Sequence, residues 1–439
     1  MNKPSDIETP NQPVLGKKRI EELDYYRGFA ILGIFMVNIL VMNVSFVFRQ
    51  DWEVEQTGWL NRSTFFVLET VFYSKFFAIF SLLFGVGIAL QLQNTLNKSI
   101  LFFIRRFGAL LVFGILHILF IWSGDILHLY AILGFFLLFF FRLQAKYLLW
   151  IAILIFLFPY FGQLVDWILS SLSIIPESAL VDYSRKDLIE LYRNGSYWSG
   201  VQLRIKEYIF AAKLVFAYIA PVAFSMMLIG GYLVKKGIVH RLKSFAVEIT
   251  KPLLIGTAIL LVYRFILIYY ILPNHAPEWG SMLSITLHTI FQLSDVSISF
   301  LLLWTLTLLN HKKYFTKILT PLKYVGRMAF TNYILQSIFG YLIMRTLGYY
   351  ETFSVFGCFV LVLLFFGIQI IFSKIYFDYF TFGPLEWIWR VISYRKLLPI
   401  LKENIKYKSL DKETIEKNAD RITAPQASAQ DLTSEQREI

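Results

Sequence analysis

Residues 353–373 read FSVFGCFVLVLLFFGIQIIFS, a run of twenty-one residues without a charged side chain. About twenty apolar residues in a helix span the hydrocarbon core of a bilayer. Similar runs recur along the chain, and a soluble core could not hide so much apolar surface. The runs are solid and lack the alternating ten-residue segments of a membrane β-barrel. The sequence therefore predicts an all-α, polytopic integral membrane protein whose partner is the lipid bilayer.

The overall composition agrees with this class. Of the 439 residues 57% are hydrophobic and only 16% are charged, whereas soluble domains carry about a quarter charged residues. The net charge is +12, but the basic residues cluster beside the apolar runs, which is the pattern of membrane topology. We therefore expect no nucleic-acid partner. The single cysteine, Cys358, excludes an intrachain disulfide.

The hydrophobic pattern predicts about ten transmembrane helices. They cover residues 28–48, 74–93, 103–122, 126–142, 147–169, 214–234, 253–272, 282–309, 328–346 and 353–374. Connections rich in lysine and arginine alternate with connections poor in them, and the positive-inside rule assigns the basic set to the cytoplasm. Both termini are then cytoplasmic, as an even number of spans requires.

Three parts follow from this topology. Residues 1–19 form a polar cytoplasmic segment, and residues 20–395 form the transmembrane domain. Within that domain, residues 170–213 are predicted to be an external segment. Residues 396–439 are a cytoplasmic tail that is partly disordered, because they are rich in Lys, Glu, Gln and Ser.

Polar residues inside apolar spans are costly, so each of them needs an explanation. Arg27 and Asn38 lie eleven residues apart in the first span and share one helix face. One interpretation is an anion-binding arginine with a polar group deeper in the same cavity. The alternative is an arginine that reaches the interface and pairs with Asp24, with an asparagine that joins helices.

A short hairpin between the third and fourth spans carries His117, Asp125 and His128. Asp125 and His128 are spaced i, i+3, so the carboxylate can contact the imidazole and favour a general base. The alternative is that Asp125 caps the fourth span. Metal binding is the weaker hypothesis, because two histidines are too few ligands and no Cys or H-E-x-x-H motif lies nearby.

The eighth span carries a polar stripe. Its members are His288, Gln292, Asp295 and Ser299. Their offsets of 0, 4, 7 and 11 place them on one helix face. Arg264 in the seventh span should lie at the depth of Asp295, so an Arg264–Asp295 ion pair is one interpretation and a stripe lining a wet cavity is the other.

Five motifs carry a resemblance to a known family. They are residues 23–38 (LDYYRGFAILGIFMVN), 80–87 (FSLLFGVG), 124–131 (GDILHLYA), 326–333 (GRMAFTNY) and 383–390 (GPLEWIWR). In this order they resemble the YeiB-like membrane proteins, the domain-of-unknown-function family numbered 418. The resemblance covers nearly all of the chain except the two tails.

The first span is more distantly similar to that of transmembrane acyltransferases, both the type 3 family and the heparan-α-glucosaminide N-acetyltransferase group. Arg27 matches the arginine of the type 3 family, but Asn38 stands where that family has a histidine. The glucosaminide enzymes also have the asparagine, with a catalytic histidine eleven residues later, where this chain has Arg49. Neither catalytic histidine is present, so His117 or His128 would have to substitute.

The resemblance implies an acyltransferase of the bacterial cytoplasmic membrane. It would use acyl-CoA as a co-substrate, with no bound cofactor, and a glycan or lipid acceptor at the outer face. The residues expected to act are His128, His117 and Asp125 in catalysis and Arg27, Asn38, Arg105, Arg106 and Tyr130 in substrate binding. The alternatives are a transporter or lipid translocator that uses the His288–Asp295 stripe, and a non-catalytic membrane scaffold.

Overall fold

A computed structural model describes residues 20–93, 100–158, 160–171, 183–275, 277–278 and 280–402. Outside these residues lie the predicted polar segment 1–19, most of the predicted tail 396–439 and residues 172–182 of the predicted external segment 170–213. The described part is almost wholly helical, with one isolated β-bridge between Phe380 and Leu401.

The helices are numbered here in chain order. They are α1 (Glu21–Asn43), α2 (Arg49–Glu55), α3 (Trp59–Val67), α4 (Lys75–Gln93), α5 (Ile100–Phe120), α6 (Leu127–Phe140), α7 (Ala145–Leu157), α8 (Phe161–Ser171), α9 (Arg185–Asn194), α10 (Tyr197–Leu214), α11 (Ala220–Lys235), α12 (Leu242–Ile266), α13 (Leu272–His275), α14 (Met282–Asn310), α15 (Lys313–Arg327), α16 (Ala329–Tyr341), α17 (Val355–Tyr379) and α18 (Pro384–Tyr394). Short π-helical segments cover Leu68–Phe72, Val215–Ile219, Leu267–Ile271 and Leu342–Thr346, and a 3-10 turn covers Ile238–His240.

Seven helical stretches among the described residues are long and apolar enough to cross a membrane. They are Glu21–Asn43, Trp59–Gln93, Ile100–Phe120, Tyr197–Lys235, Leu242–His275, Met282–Asn310 and Val355–Tyr379. Shorter apolar helices cover Leu127–Phe140 and Ala145–Leu157. The predicted all-α membrane fold is confirmed, and each of the ten predicted spans overlaps a helix. The number of spans and the orientation of the termini stay predictions.

The structure differs from the predicted spans at two places. The predicted span 147–169 is two helices, α7 and α8, because the chain turns extended at Phe158, the residue before a proline in the sequence. The predicted span 214–234 begins earlier: α10 starts at Tyr197 and runs through the π-helical segment Val215–Ile219 into α11. Part of the predicted external segment is therefore continuous with a span.

Glycines allow the central helices to approach each other closely. A Cβ atom on Gly28 of α1 would lie 2.0 Å from the carbonyl oxygen of Leu322 in α15, and one on Gly326 would lie 1.9 Å from that of Asp24. Gly85 of α4 and Gly230 of α11 meet each other's helices in the same way. Small residues at helix crossings are the usual means of association in membranes.

The bundle has two ends, which are called inner and outer after the predicted topology. The inner end holds the starts of α1 and α5 together with α18, and the outer end holds the α5–α6 connection and the start of α14. At the inner end, Glu386 accepts hydrogen bonds from the backbone N–H groups of Phe330 at 2.7 Å and Thr331 at 3.1 Å. Glu386 therefore caps α16, which satisfies amide groups that a helix start leaves unpaired.

Candidate functional site

A central cavity of about 430 Å³ lies near the outer end of the bundle. Most of its lining is apolar, from side chains such as Ile34, Phe76 and Val222. Its polar lining comes from six separate parts of the chain. These polar residues are Asn38, Arg49, Tyr73, Ser74, Ser123, Asp125, Tyr208, Tyr218, His288, Gln292, Asp295 and Tyr333. An apolar cavity with a few convergent polar groups is the usual form of a small-molecule site.

Two groups of polar residues that are far apart in the sequence line the same cavity. Asp125 of the α5–α6 connection and the stripe residues His288, Gln292 and Asp295 line the same space. Asn38 lines it as well. Asn38 and Arg49, which stand where the type 3 family and the glucosaminide enzymes respectively have a histidine, therefore both line this cavity.

The α5–α6 connection places a buried carboxylate against an imidazole. Oδ2 of Asp125 lies 2.9 Å from Nδ1 of His128 and accepts a hydrogen bond from the His128 backbone N–H at 2.8 Å. The capping and orienting roles predicted as alternatives for Asp125 are thus both present. Gly114 of α5 makes room for this arrangement, since a Cβ atom there would lie 2.8 Å from Oδ2 of Asp125.

Two further side chains complete a cluster, called here the histidine network (His117, Asp125, His128 and Tyr208), in which Tyr208 is partly exposed and the other three are buried. Nδ1 of His117 lies 3.0 Å from Oδ1 of Asp125. The Tyr208 hydroxyl lies 3.0 Å from Nε2 of His128. His117 and His128 are buried behind the wall, whereas Asp125 and Tyr208 line the cavity. The network therefore reaches the cavity through Tyr208 and Asp125.

Tyr208 is a site residue that the sequence did not reveal. It lies 80 positions from His128 in the chain, inside the predicted external segment. Its neighbour Glu207 accepts hydrogen bonds from Ser123 at 2.9 Å and Ser45 at 3.3 Å. This buried carboxylate joins α10 to the α5–α6 connection and to the segment that follows α1, and so fixes Tyr208 beside His128.

Asp295 is held by two cations. Its Oδ1 lies 2.5 Å from NH1 of Arg264 and 2.7 Å from Nζ of Lys75. The predicted Arg264–Asp295 pair is confirmed. Lys75 was not predicted; it begins α4 directly after Ser74, whose φ of +64° breaks the helix path, and donates to the Glu69 carbonyl at 2.7 Å. Besides Asp295, Arg264 contacts a second carboxylate, since its NH2 lies 3.3 Å from Oε1 of Glu69.

The remaining predicted binding residues do not line the central cavity. Arg27 pairs with Asp24 at 3.1 Å, which is the alternative geometry considered above. Arg105 donates to the carbonyl of Ser393, and the Arg106 guanidinium stacks on Trp389 at 3.6 Å. These arginines lie at the inner end. Buried residues of α1, including Ala30 and Ile31, lie between Arg27 and the cavity.

Tyr130 does not line the central cavity either. Its hydroxyl lies 2.7 Å from Oγ of Ser81 and donates to the Phe77 carbonyl at 3.1 Å. Two of the recognisable motifs, residues 80–87 and 124–131, therefore meet through a helix–helix hydrogen bond. Among the described residues no group of three or more His, Cys, Asp and Glu side chains could hold a metal ion.

At the outer end, α9 is fastened by ion pairs. Arg185 donates to both carboxylate oxygens of Glu55, at 2.6 and 2.7 Å, and also contacts Glu351. These hydrogen bonds hold the pKa of the Glu55 carboxyl below its usual range. Tyr192 of α9 stacks on Tyr350 with ring centroids 4.0 Å apart. The segment that precedes Tyr208 is thus tied to the outer loops.

The fold and cavity define a multi-pass α-helical membrane protein with a buried polar site near one end. Residues 233–396 match the family model described as "Protein of unknown function (DUF418)". No solved structure matches the chain significantly.

Three bacterial relatives match along most of their length. "Uncharacterized protein YxaH" of Bacillus subtilis (strain 168) is 28% identical over 422 residues, which cover 89% of this chain and 98% of the relative. "Uncharacterized 39.9 kDa protein in amylase 3'region" of Bacillus acidopullulyticus is 27% identical, with 89% and 98% covered. "Uncharacterized protein YeiB" of Escherichia coli (strain K12) is 26% identical, with 87% and 98% covered. The resemblance to YeiB-like membrane proteins is thereby confirmed.

Proposed function

We propose that the chain is an acyltransferase of the bacterial cytoplasmic membrane that acylates a hydroxyl or amine held in the central cavity. His128 is the general base. Acyl-CoA on the cytoplasmic side is the donor, and the acceptor arrives at the outer face. The observation that carries this proposal is the position of the His128 ring between the Asp125 carboxylate and the Tyr208 hydroxyl of the cavity wall.

The partners of the His128 ring define its tautomer. An ionised carboxylate only accepts hydrogen bonds, so Nδ1, at 2.9 Å from Asp125, carries the proton. Nε2 then has a free lone pair and accepts from the Tyr208 hydroxyl. The imidazole lies within hydrogen-bond reach of the orienting carboxylate on one side and of the hydroxyl on the other, which is the geometry that activates a nucleophile. An acceptor hydroxyl that displaces Tyr208 would take the same place.

The reaction follows from that placement. The acceptor O–H or N–H gives its proton to Nε2 of His128 while its oxygen or nitrogen attacks the thioester carbonyl carbon. The C–S bond then breaks, and the imidazolium returns the proton to the leaving thiolate. Asp125 stays ionised throughout and stabilises the imidazolium. The product is an ester or amide, and the thiol is released.

The donor's phosphates would meet the arginines of the inner end. Arg27, Arg105 and Arg106 lie there, and guanidinium groups suit phosphate oxygens. The distance is a requirement of the proposal: Gly87 of α4 lies beside Arg27, while Phe77 of the same helix lines the cavity. Ten helical residues rise about 15 Å, so the packed helices must part for the thioester to reach His128.

The test uses the full-length protein in vesicles of bacterial phospholipid, with labelled acyl-CoA. His128→Ala should lower the transfer rate by about two to four orders of magnitude, because that is the usual contribution of a general base. His240→Ala is the matched control, since His240 is exposed and does not line the cavity. Arg27→Ala should weaken acyl-CoA binding and leave the base intact. Unchanged transfer by a folded His128→Ala protein, or a wild-type protein that does not bind acyl-CoA, would refute the proposal.

A specific observation favours one second candidate, a lipid translocator. Transporter sites lie where helices are interrupted, and the central cavity is lined at two such places. One is the Tyr73–Ser74 break before α4, and the other is the π-helical segment Val215–Ile219. Movement of a fluorescent phospholipid between leaflets by a wild-type protein that binds no acyl-CoA would select this candidate.

A further inference from the structure

A second cavity, of about 180 Å³, lies beside the central one and is called here the side cavity. It is enclosed by the break between α7 and α8, by the π-helical segment Val215–Ile219 with the start of α11, and by the outer half of α14. It results from two local features: the extended residue Phe158 separates α7 from α8, and Gly162 provides space on α8.

The two cavities share a wall. Tyr218, Val222, His288 and Gln292 line both of them. Nε2 of His288 lies 3.1 Å from Nε2 of Gln292, and the His288 ring meets the Tyr218 ring edge-on at 5.6 Å. Three polar side chains therefore separate the side cavity from the central cavity, which Asp125 and Tyr208 of the histidine network also line.

The side cavity is amphipathic. Its α7–α8 side is built from Ile155, Phe156, Phe158 and Phe161, and its α14 side presents hydroxyl, imidazole and amide groups. Phe158 keeps 45% of its surface exposed, so the cavity reaches the surface of the bundle. The surface beside it is apolar, with Leu154 67% and Trp167 68% exposed. Exposed apolar surface of this extent on membrane helices faces hydrocarbon.

We infer that the side cavity is a lateral entry site for a membrane lipid from the leaflet at the outer end of the bundle. The lipid chain lies against Phe156 and Phe158, and a headgroup amine or hydroxyl meets His288 and Gln292 at the shared wall. This assignment rests on the proposed function in one respect, because it names that reaction's acceptor as a lipid. A water-soluble acceptor would gain nothing from an apolar passage that opens toward hydrocarbon.

The probe is phosphatidylethanolamine, which has a primary amine, with a photoactivatable diazirine on one acyl chain. Full-length protein in vesicles that contain this lipid is irradiated, and the labelled residues are identified by mass spectrometry. Labelling should be enriched at Phe156, Phe158 and Ile285 of the side cavity. The reference surface is α12, where Ile259 and Phe265 are each 64% exposed.

Two glycine substitutions provide a matched pair. A Cβ atom on Gly162 would lie 3.1 Å from the Tyr218 hydroxyl, whereas one on Gly256 of α12 would meet nothing within 4 Å. Gly162→Trp should fill the side cavity and lower its labelling at least tenfold, while Gly256→Trp should leave it unchanged. If Gly162→Trp fails to fold, Ile285→Trp fills the same cavity from α14.

Labelling spread evenly over the lipid-facing surface, or labelling that persists in both filled variants, would overturn the inference. The outcome is separable from that of the acyltransferase proposal. Even labelling together with transfer that depends on His128 would leave the enzyme standing and refute the lateral route. Enriched labelling without any transfer would keep the lipid site and refute the enzyme.

Discussion

The inner and outer ends of the bundle both contain charged and polar side chains in an apolar setting, but they use them differently. At the inner end, Glu386 accepts hydrogen bonds from backbone amides of α16, and Arg27 pairs with Asp24. At the outer end, Asp125 and Asp295 line a cavity of about 430 Å³. Glycines close the first region by helix contact, whereas helix breaks hold the second region open.

The recognisable sequence motifs and the candidate site therefore lie largely in different parts of the bundle. Three of the five recognisable motifs meet at the inner end: the first contacts the fourth through Gly28 and Gly326, and the fourth contacts the fifth through Thr331 and Glu386. A residue pattern that packs helices can be as recognisable as one that performs chemistry. Polar groups that converge on a cavity, as at the outer end, give the stronger argument for function.

The largest effect on stability is expected at the wall of the central cavity. Asp295→Ala should lower the free energy of unfolding by about 3–5 kcal/mol, because it leaves Lys75 and Arg264 buried without their shared carboxylate. Adding Arg264→Ala should recover only part of this loss, since Lys75 remains. Reversible unfolding in mixed detergent micelles measures both variants, with the exposed Asp378→Ala as control. Full recovery in the double variant would show that Lys75 does not interact with Asp295.

A smaller loss is expected at the inner end. Gly326→Ala should lower the free energy of unfolding by about 1–3 kcal/mol, because its Cβ atom would lie 1.9 Å from the Asp24 carbonyl oxygen and force α1 and α15 apart. At saturating acyl-CoA, the transfer rate per folded molecule should not change, because the histidine network lies at the other end of the bundle. Gly367→Ala on α17, where a Cβ atom meets nothing within 4 Å, is the control. A lower rate at saturating acyl-CoA without a loss of stability would mean that the α1–α15 contact takes part in the chemical step as well as in packing.

The smallest effect is expected where α9 is fastened over the outer end. Arg185 lowers the pKa of Glu55, so the ion pair is fully formed above the ordinary value near 4.5 and is lost as the pH falls through the lowered pKa. Hydrogen exchange of the α9 amides, corrected for its intrinsic pH dependence, should accelerate at acid pH. Glu55→Gln should remove that acceleration, and its persistence in this variant would assign it to another group.

The sequence predicts contacts within one helix or turn and between consecutive spans. Apolar runs located the spans, the i, i+3 spacing predicted the contact of Asp125 with His128, and equal depth predicted the Arg264–Asp295 pair. It did not find Tyr208 or Lys75, whose partners lie 80 and 220 positions away. Such contacts depend on which helices are neighbours, and hydropathy carries no information about neighbours.

The lack of information about neighbouring helices also explains why Arg27 and Asn38 could be expected to share one cavity. Eleven residues do place both side chains on one face of α1, yet only Asn38 lines the central cavity. The cavity ends because other helices pack against α1 at Ala30 and Ile31. The helices that pack against a helix face determine which part of that face lines a cavity.

The π-helical segment Val215–Ile219 makes the orientation of α10 relative to α11 depend on the number of residues between them. Such a segment is an α-helix with one inserted residue, and each residue of an α-helix turns the chain by about 100°. A single-residue deletion there would rotate α10 by about that angle relative to α11 and turn Tyr208 away from His128. A homologue one residue shorter at this point could retain every motif and every span and still have a different chemistry.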